Sequence, residues 1–108
     1  MPIYNKLVRD HIPEIIKKSN QKFTTRLLAE DEYLLEIDKK MHEELVEYEA
    51  ATTNEDAIEE LADLLELILA AAAVYDTSFE ELEKVREDKA KKRGGFDERI
   101  FLIEVEDD

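Results

Sequence analysis

The clearest pattern in the chain is a helical repeat of apolar residues through its centre. Between about residues 31 and 51, apolar side chains recur at three- to four-residue spacing, which is typical of an amphipathic α-helix. The repeating positions are Leu34, Ile37, Met41, Leu45 and Tyr48. After "TTNED", in which Thr53 or Asn54 suits the N-cap position, a second helix is predicted over roughly residues 55–75. Because the connection is short, we expect these two helices to pack antiparallel.

Shorter signals predict one helix on each side of this pair. Pro13 suits the first turn of a short helix over "PEIIKKSN". Ser78 and Glu81 have the spacing of a capping box for a last helix, which extends to about Arg93 and ends at the only two glycines of the chain. The predicted fold is therefore all-α, an antiparallel bundle of three to four helices that forms a single domain over residues 1–108.

Two stretches outside the helices alternate in the manner of β-strands. These are "KFTTRLLAE", before the first long helix, and "RIFLIEVE", after the glycines. Their β-branched and aromatic residues predict two short strands. Paired with each other, they would form a short β ribbon from the N-terminal region and the C-terminal tail, beside the helices.

The charge of the chain limits its partners. Among its 108 residues, 29 are acidic and 15 are basic, which gives a net charge of −14. Such a surface repels phosphates, so we expect no nucleic-acid polymer and no membrane as a partner. There is no cysteine, no apolar secretory signal at the N-terminus, and the run "LLELILAAAAV" is too short to cross a bilayer. We therefore expect a cytoplasmic protein.

That same apolar run bears on assembly. From Leu64 to Val74 the predicted helix is apolar nearly all round, apart from Glu66. A helix of this kind must be covered on several sides, which a domain of three or four helices hardly achieves alone. We expect the bundle to be completed by oligomerisation, as a homodimer or homotetramer.

Two acidic pairs lie where the long helices are predicted to pack. On a projection at about 100° per residue, Glu44 falls inside the apolar arc of the first helix and Glu47 falls at its edge. Glu60 and Asp63 take the same two positions on the second helix. Antiparallel packing is therefore expected to bring four carboxylates together.

Crowded carboxylates among apolar neighbours need protons or cations. Burying one unpaired carboxylate costs several kcal/mol, and like charges nearby raise that cost. Hard divalent cations prefer oxygen ligands, and Mg²⁺ typically binds through carboxylates together with substrate phosphates. A site for Mg²⁺, or for Mn²⁺ in its place, is one interpretation. The other is an ordinary charged face, in which Glu44 and Glu60 turn out to water.

These pairs and two further segments resemble one protein superfamily. "EELVE" followed by "EELAD" resembles the ExxE…ExxD pattern of the all-α nucleoside triphosphate pyrophosphohydrolases, the MazG-like and phosphoribosyl-ATP pyrophosphohydrolase-like proteins. "YNKLVRDHIPEII" and "KAKKRGGFDERIFL" resemble segments of a small MazG-like subgroup, which often has Lys at the position of His11. The resemblance implies an oligomeric, antiparallel helical enzyme that uses Mg²⁺ to hydrolyse a nucleotide between its α and β phosphorus atoms. By matching position, the implied metal ligands are Glu44, Glu47, Glu60 and Asp63.

The remaining chemistry needs a base and cations. Glu43 or Glu44 would orient or deprotonate the attacking water, and the sequence leaves that choice open. Lys6, Arg9 and Arg93 are the predicted contacts to substrate phosphates in this acidic chain. For Arg93 there is an alternative explanation, because a cation in the last helical turn favourably opposes the helix dipole.

The sequence thus predicts an Mg²⁺-dependent enzyme that converts a nucleoside triphosphate to a monophosphate and pyrophosphate. A phosphoribosyl-ATP pyrophosphohydrolase is the alternative with a different substrate. A non-catalytic acidic helical module that binds a partner protein is the alternative from another class. Unpaired acids inside apolar arcs argue against that module, because an interaction surface gains nothing from them.

Overall fold

The computed structural model of the chain describes residues 2–107 and is all-α over that range. Its four helices are α1 (Ile12–Lys18), α2 (Glu30–Ala50), α3 (Asn54–Val74) and α4 (Phe79–Arg93). The predicted fold class is confirmed. The single domain over residues 1–108 stays a prediction, and its two end residues lie outside the described range.

Local capping explains where α3 and α4 begin. The side chain of Thr53 accepts a hydrogen bond from the backbone N–H of Asp56 at 3.1 Å, so Thr53 is the N-cap and Asn54 is the first helical residue. Ser78 accepts from the N–H of Glu81 at 3.1 Å, and Glu81 accepts from the N–H of Ser78 at 3.3 Å. This reciprocal pair is the predicted capping box.

The core of the chain lies between α2 and α3. The three-residue connection after Ala50 makes these helices antiparallel neighbours, and they form the most extensive helix contact in the described residues. The most deeply buried residues are Ile37 and Glu44 from α2 and Leu67 from α3. One of these three is a carboxylate, so the packing face predicted from the helical phase includes an acid.

The other helices pack much less. Within residues 2–107, α4 packs against α3 alone and α1 packs against no other helix. The radius of gyration is 18.6 Å, whereas a compact chain of this length has about 13 Å. The chain is therefore elongated, 63 Å along its longest axis. None of the helices in this part of the chain combines the length and apolarity needed to cross a bilayer.

The predicted β ribbon is wrong for the single chain. Residues 21–29 and 100–107 are irregular, and no strand occurs anywhere between residues 2 and 107. The first stretch follows α1 and the second follows α4, and these two helices do not pack on each other. Alternation favours a strand only where another strand lies alongside, and the fold of one chain does not bring these stretches together.

Candidate metal centre

Three glutamates from the two long helices meet at one point of the core. Glu44 and Glu47 lie about one turn apart on α2, and Glu60 comes from α3. Each offers one carboxylate oxygen, and these three oxygens lie within 4.8 Å of one another. We call Glu44, Glu47 and Glu60 the glutamate cluster. Its geometry is what the helical phase predicted for three of the four acids.

Burial in the cluster is graded. Glu44 is only 8% exposed, Glu60 is half-buried and Glu47 is exposed. The Oε2 atoms of Glu44 and Glu60 are buried and receive no hydrogen bond from any described residue. Two such oxygens side by side are costly without a cation. Their arrangement therefore fits a hard divalent ion, which prefers carboxylate oxygens.

The protonation of Glu44 reflects the same crowding. Burial, followed by hydrogen bonds that its protonated form shares with Glu60 and Glu47, raises the pKa of Glu44 to about 7. The negative charges of Glu47 and Asp63 act in the same direction. Near neutral pH, protonation of Glu44 therefore competes with the binding of a cation at this site.

Asp63, the fourth predicted ligand, is outside the glutamate cluster, but it is near enough for its charge to act on Glu44. Its Oδ1 accepts a 2.6 Å charge-assisted hydrogen bond from Nη2 of Arg9. Both side chains are partly exposed, so the pair adds at most about 1 kcal/mol to stability. It joins the N-terminal segment to α3, and it occupies one oxygen of this carboxylate. Arg9, predicted as a phosphate contact, therefore lies beside the predicted metal ligands.

Lys6 and Glu43 line a small pocket at the next turn of α2. Lys39 and Lys40 complete its basic lining, and the others around it are Asn5, Leu7 and Glu36. We call this the lysine pocket. Sequence reasoning missed Lys39 and Lys40, although they directly precede "MHEELVEYE", because only the fold shows that the N-terminal segment lies against them.

Arg93 is not brought to the acids in the same way. It is the last residue of α4, it is exposed, and among residues 2–107 it forms no ion pair. Its position in the last turn of α4 agrees with the alternative explanation for this residue, which is a favourable interaction with the helix dipole.

An open apolar groove runs beside the cluster. It has a volume of about 300 Å³ and is lined by Asp38, Met41, His42, Leu45 and Leu64. Leu45 and Leu64 directly follow Glu44 and Asp63 in the sequence, so the groove and the carboxylates share the same turns of α2 and α3. A groove of this size and lining suits a flat organic group.

Comparison with known proteins identifies the family. A model of the phosphoribosyl-ATP pyrophosphohydrolase family matches residues 5–90 of the chain. The chain belongs to this family. The family lies within the MazG-like all-α nucleoside triphosphate pyrophosphohydrolase superfamily, so the resemblance drawn from the sequence is confirmed. The matched range contains both acidic pairs, Lys6 and Arg9, and it ends before Arg93.

A relative in Mycolicibacterium smegmatis adds no named activity. It is an uncharacterized protein, 45% identical over 53 residues, which is 49% of this chain. The aligned part spans 54% of the relative's own length. No solved structure matches the chain.

Proposed function

We propose that this pyrophosphohydrolase-family chain is a Mg²⁺-dependent enzyme that cleaves a nucleoside triphosphate between its α and β phosphates. The products are a nucleoside monophosphate and pyrophosphate. The single observation that carries the proposal is the glutamate cluster, in which two buried carboxylate oxygens have no donor within the described residues. An acidic interaction module has no use for such oxygens, whereas a cation site requires them.

The glutamate cluster would hold the ion, with Asp63 as a fourth ligand once it leaves Arg9. Bound Mg²⁺, or Mn²⁺, neutralises phosphate charge and lowers the pKa of a bound water. Two of the three cluster residues are on α2 and one is on α3, so the antiparallel pair fixes their spacing before any ligand arrives. This preorganisation is the contribution of the fold.

Glu43 is our choice for orienting the attacking water. It adjoins the cluster in sequence but is exposed, whereas Glu44 is buried among the ligands. An exposed carboxylate that is not part of the ligand set is free to accept a proton from water. It also lines the lysine pocket, together with Lys6, Lys39 and Lys40.

Substrate phosphates would be bound by the lysine pocket and by Arg9. Lys6, Lys39 and Lys40 bring three positive charges to one place on a chain of net charge −14. Phosphate oxygens accept hydrogen bonds from such groups. Lys39 also contacts Glu36 at 3.2 Å, so the pocket is partly neutralised until a more strongly charged anion replaces that contact. Arg93 stays a weaker candidate for the same role.

The apolar groove would take the base of the nucleotide. Met41, Leu45 and Leu64 provide apolar contact, and Asp38 and His42 provide polar groups at its edge. Because the groove is open, it places few steric limits on the base.

Phosphoribosyl-ATP is the second candidate substrate, and the family match favours it. The scissile bond is of the same kind, so the cluster serves either reaction. The difference lies in the extra phosphoribosyl group, which must be accommodated beyond the base groove.

We also propose that the active form is a homodimer or homotetramer. Large apolar side chains on α3 remain about half exposed in the single chain, at Leu61, Leu65 and Ile68. Contiguous apolar surface of this kind marks an interface.

The experiment is a substrate panel with Mg²⁺, scored separately for pyrophosphate and for orthophosphate. Ordinary and modified nucleoside triphosphates and phosphoribosyl-ATP are compared, with Glu60→Gln as the inactive control and the neighbouring exposed Glu59→Gln as the matched active control. We expect pyrophosphate release from at least one substrate. Orthophosphate in its place would contradict the cleavage site, and no turnover on any substrate would favour the non-catalytic module.

A further inference from the structure

The segment that follows α4 is apolar and uncovered. We call residues 96–107 the C-terminal arm. Its large apolar side chains are each at least 73% exposed, and they are Phe96, Ile100, Phe101, Leu102, Ile103 and Val105. Within the described residues, the backbone from 100 to 107 makes no hydrogen bond to another segment. Six exposed apolar residues in ten positions are a contact surface that lacks its partner.

A second irregular stretch is equally unpaired. We call residues 22–28 the α1–α2 linker strand because their sequence predicts a strand, although the single chain forms none. They make no backbone hydrogen bond to another segment of the described chain. Leu27 in this stretch is 99% exposed. Its alternating sequence has the strand pattern of the arm. Each stretch therefore offers an open row of backbone donors and acceptors.

The chain exposes more surface than a compact monomer of its mass. One chain exposes 10328 Å², whereas a compact monomer of this mass exposes about 6,200 Å². The excess is about 4,000 Å², and a stable interface removes only about 800 Å² from each partner. The chain therefore has ample exposed area for contact with a second copy.

Charge selects which surfaces meet. The arm carries five acidic residues and one arginine, whereas the linker strand carries Lys22 and Arg26 and no acid. Two arms placed side by side would repel each other. Arg26 already pairs with Glu32 of its own chain at 2.8 Å, so the attraction rests mainly on Lys22. An arm beside a linker strand brings Glu104 and Glu106 toward this lysine, which is favourable.

We propose that the C-terminal arm of one copy adds as a β-strand to the α1–α2 linker strand of a second copy. The exchange satisfies both open backbone rows and buries the apolar arm. Within one chain α1 and α4 do not pack together, so the pairing is made between chains. The inference rests on the proposed homo-oligomer and is independent of the reaction.

Chemical cross-linking tests this pairing directly, because the chain has no cysteine. An affinity-tagged Thr25→Cys chain is mixed with an untagged Ile103→Cys chain, unfolded and refolded together, and treated with a short bis-maleimide. We expect a product that contains one chain of each kind. The matched control replaces the second variant by Glu87→Cys, at an exposed position of α4, and we expect at least a tenfold lower yield.

Several outcomes overturn the inference. They are cross-links confined to pairs of Ile103→Cys chains, a yield no greater than that of the control, or a product of single-chain mass from the Thr25→Cys/Ile103→Cys double variant at high dilution. If Ile103→Cys does not fold, Thr24→Cys and Glu104→Cys are used instead, because they leave every apolar side chain of the arm in place, and they are read in the same way.

Light scattering of the unmodified protein separates this inference from the proposed oligomer. The mass of a single chain at micromolar concentration would remove both. A dimer or tetramer without cross-links between the arm and the linker strand would remove only the arm exchange. With both in place, Phe101→Asp/Ile103→Asp should shift the mass toward a single chain, and Glu87→Gln, at an exposed position of α4 outside the arm, should not.

Discussion

The α2–α3 pair and the outer segments of the chain differ in how deeply their residues are buried. The pair contains the most deeply buried residues, although Leu61, Leu65 and Ile68 of α3 stay about half exposed in the single chain. The outer segments, α1, α4 and the arm, contribute no buried residue within residues 2–107. The glutamate cluster lies entirely in the pair. The candidate metal centre is therefore built by one chain, whereas the outer segments leave most of their large apolar side chains exposed.

This difference separates two kinds of variant. Changes in the glutamate cluster should alter metal binding and rate without changing the mass of the assembly. Changes in the arm should alter the mass first. A variant that changed both equally would show that the pair is not independent of the periphery.

Glu60→Gln should have the largest effect. Removing one charged ligand keeps the size of the side chain but should lower kcat/KM by about 100-fold or more, since even groups that only support a metal ligand are worth about 10–100-fold. In metal-free buffer the variant should unfold at an equal or higher temperature than the parent, because repulsion from Glu44 and Glu47 is relieved. Rate assays and thermal unfolding measure both effects.

Glu59→Gln is the matched control for Glu60→Gln. Glu59 is adjacent on α3 and exposed, so its loss changes the net charge equally. Parental activity and an unchanged metal response in Glu60→Gln would mean that the cluster is only a charged face.

Added Mg²⁺ should stabilise the parent protein. An ion that binds only the folded state contributes about 2.7 kcal/mol at a hundredfold excess over Kd. Excess chelator should abolish turnover, and Mg²⁺ or Mn²⁺ should restore it. Denaturant unfolding with and without the ion measures the gain, and Glu60→Gln should gain much less. Undiminished turnover in excess chelator would contradict a metal-dependent reaction.

The pH dependence of the metal-free protein should report on Glu44. Its folded pKa is raised to about 7, so between about pH 4.5 and pH 7 the folded state holds a proton that the unfolded state has released. The free energy of unfolding should therefore fall as the pH rises through that window. Thermal unfolding of protein stripped of metal by resin, from pH 5 to pH 8, measures the slope.

Glu44→Gln should flatten that slope, and Glu59→Gln should leave most of it. Both substitutions replace one ionisable carboxyl with a neutral amide, so the comparison isolates the buried carboxyl from the exposed acids of the chain. Equal slopes in the parent and Glu44→Gln would contradict the raised pKa.

Substitutions at the helix caps should have a smaller effect, and they test whether α3 and α4 unfold together. Thr53 caps α3, which is part of the core, and Ser78 caps the peripheral α4. Thr53→Ala and Ser78→Ala each lose about 1 kcal/mol of helix stability. The first loss should appear in global unfolding. The second should appear mainly as faster amide hydrogen exchange at the start of α4, and equal global losses would place α4 in the same cooperative unit as α3.

The central pair could be predicted from the sequence because its determinants are local. A 3.6-residue repeat fixes which face packs, and the Thr53 cap and the Ser78 and Glu81 box fix where helices begin. With a short connection, the same phase predicts that Glu44 and Glu60 face each other.

Contacts between distant segments could not be predicted in that way. Arg9 and Asp63 are 54 positions apart, and no periodicity connects them. The lysine pocket likewise depends on where the N-terminal segment lies against α2. For the arm, alternation favours a strand but does not specify its partner, which is why the predicted intrachain ribbon was wrong.

The smallest predicted effect concerns Arg9, and its two readouts should move in opposite directions. The Arg9–Asp63 pair is partly exposed, so its loss removes at most about 1 kcal/mol, equivalent to a change of about fivefold in an equilibrium constant. In Arg9→Met, Asp63 is released from the guanidinium and becomes available to a cation. The Kd for Mg²⁺ in the absence of nucleotide should therefore fall by up to about fivefold, as calorimetry would show. If Arg9 also contacts phosphate, KM for the nucleotide should rise in the same variant.

Arg86→Met is the matched control. Arg86 pairs with Glu83 at 2.9 Å on α4, away from the cluster, so its removal should change neither constant. Weaker Mg²⁺ binding in Arg9→Met would show that this cation supports the carboxylates through the local structure rather than competing for Asp63.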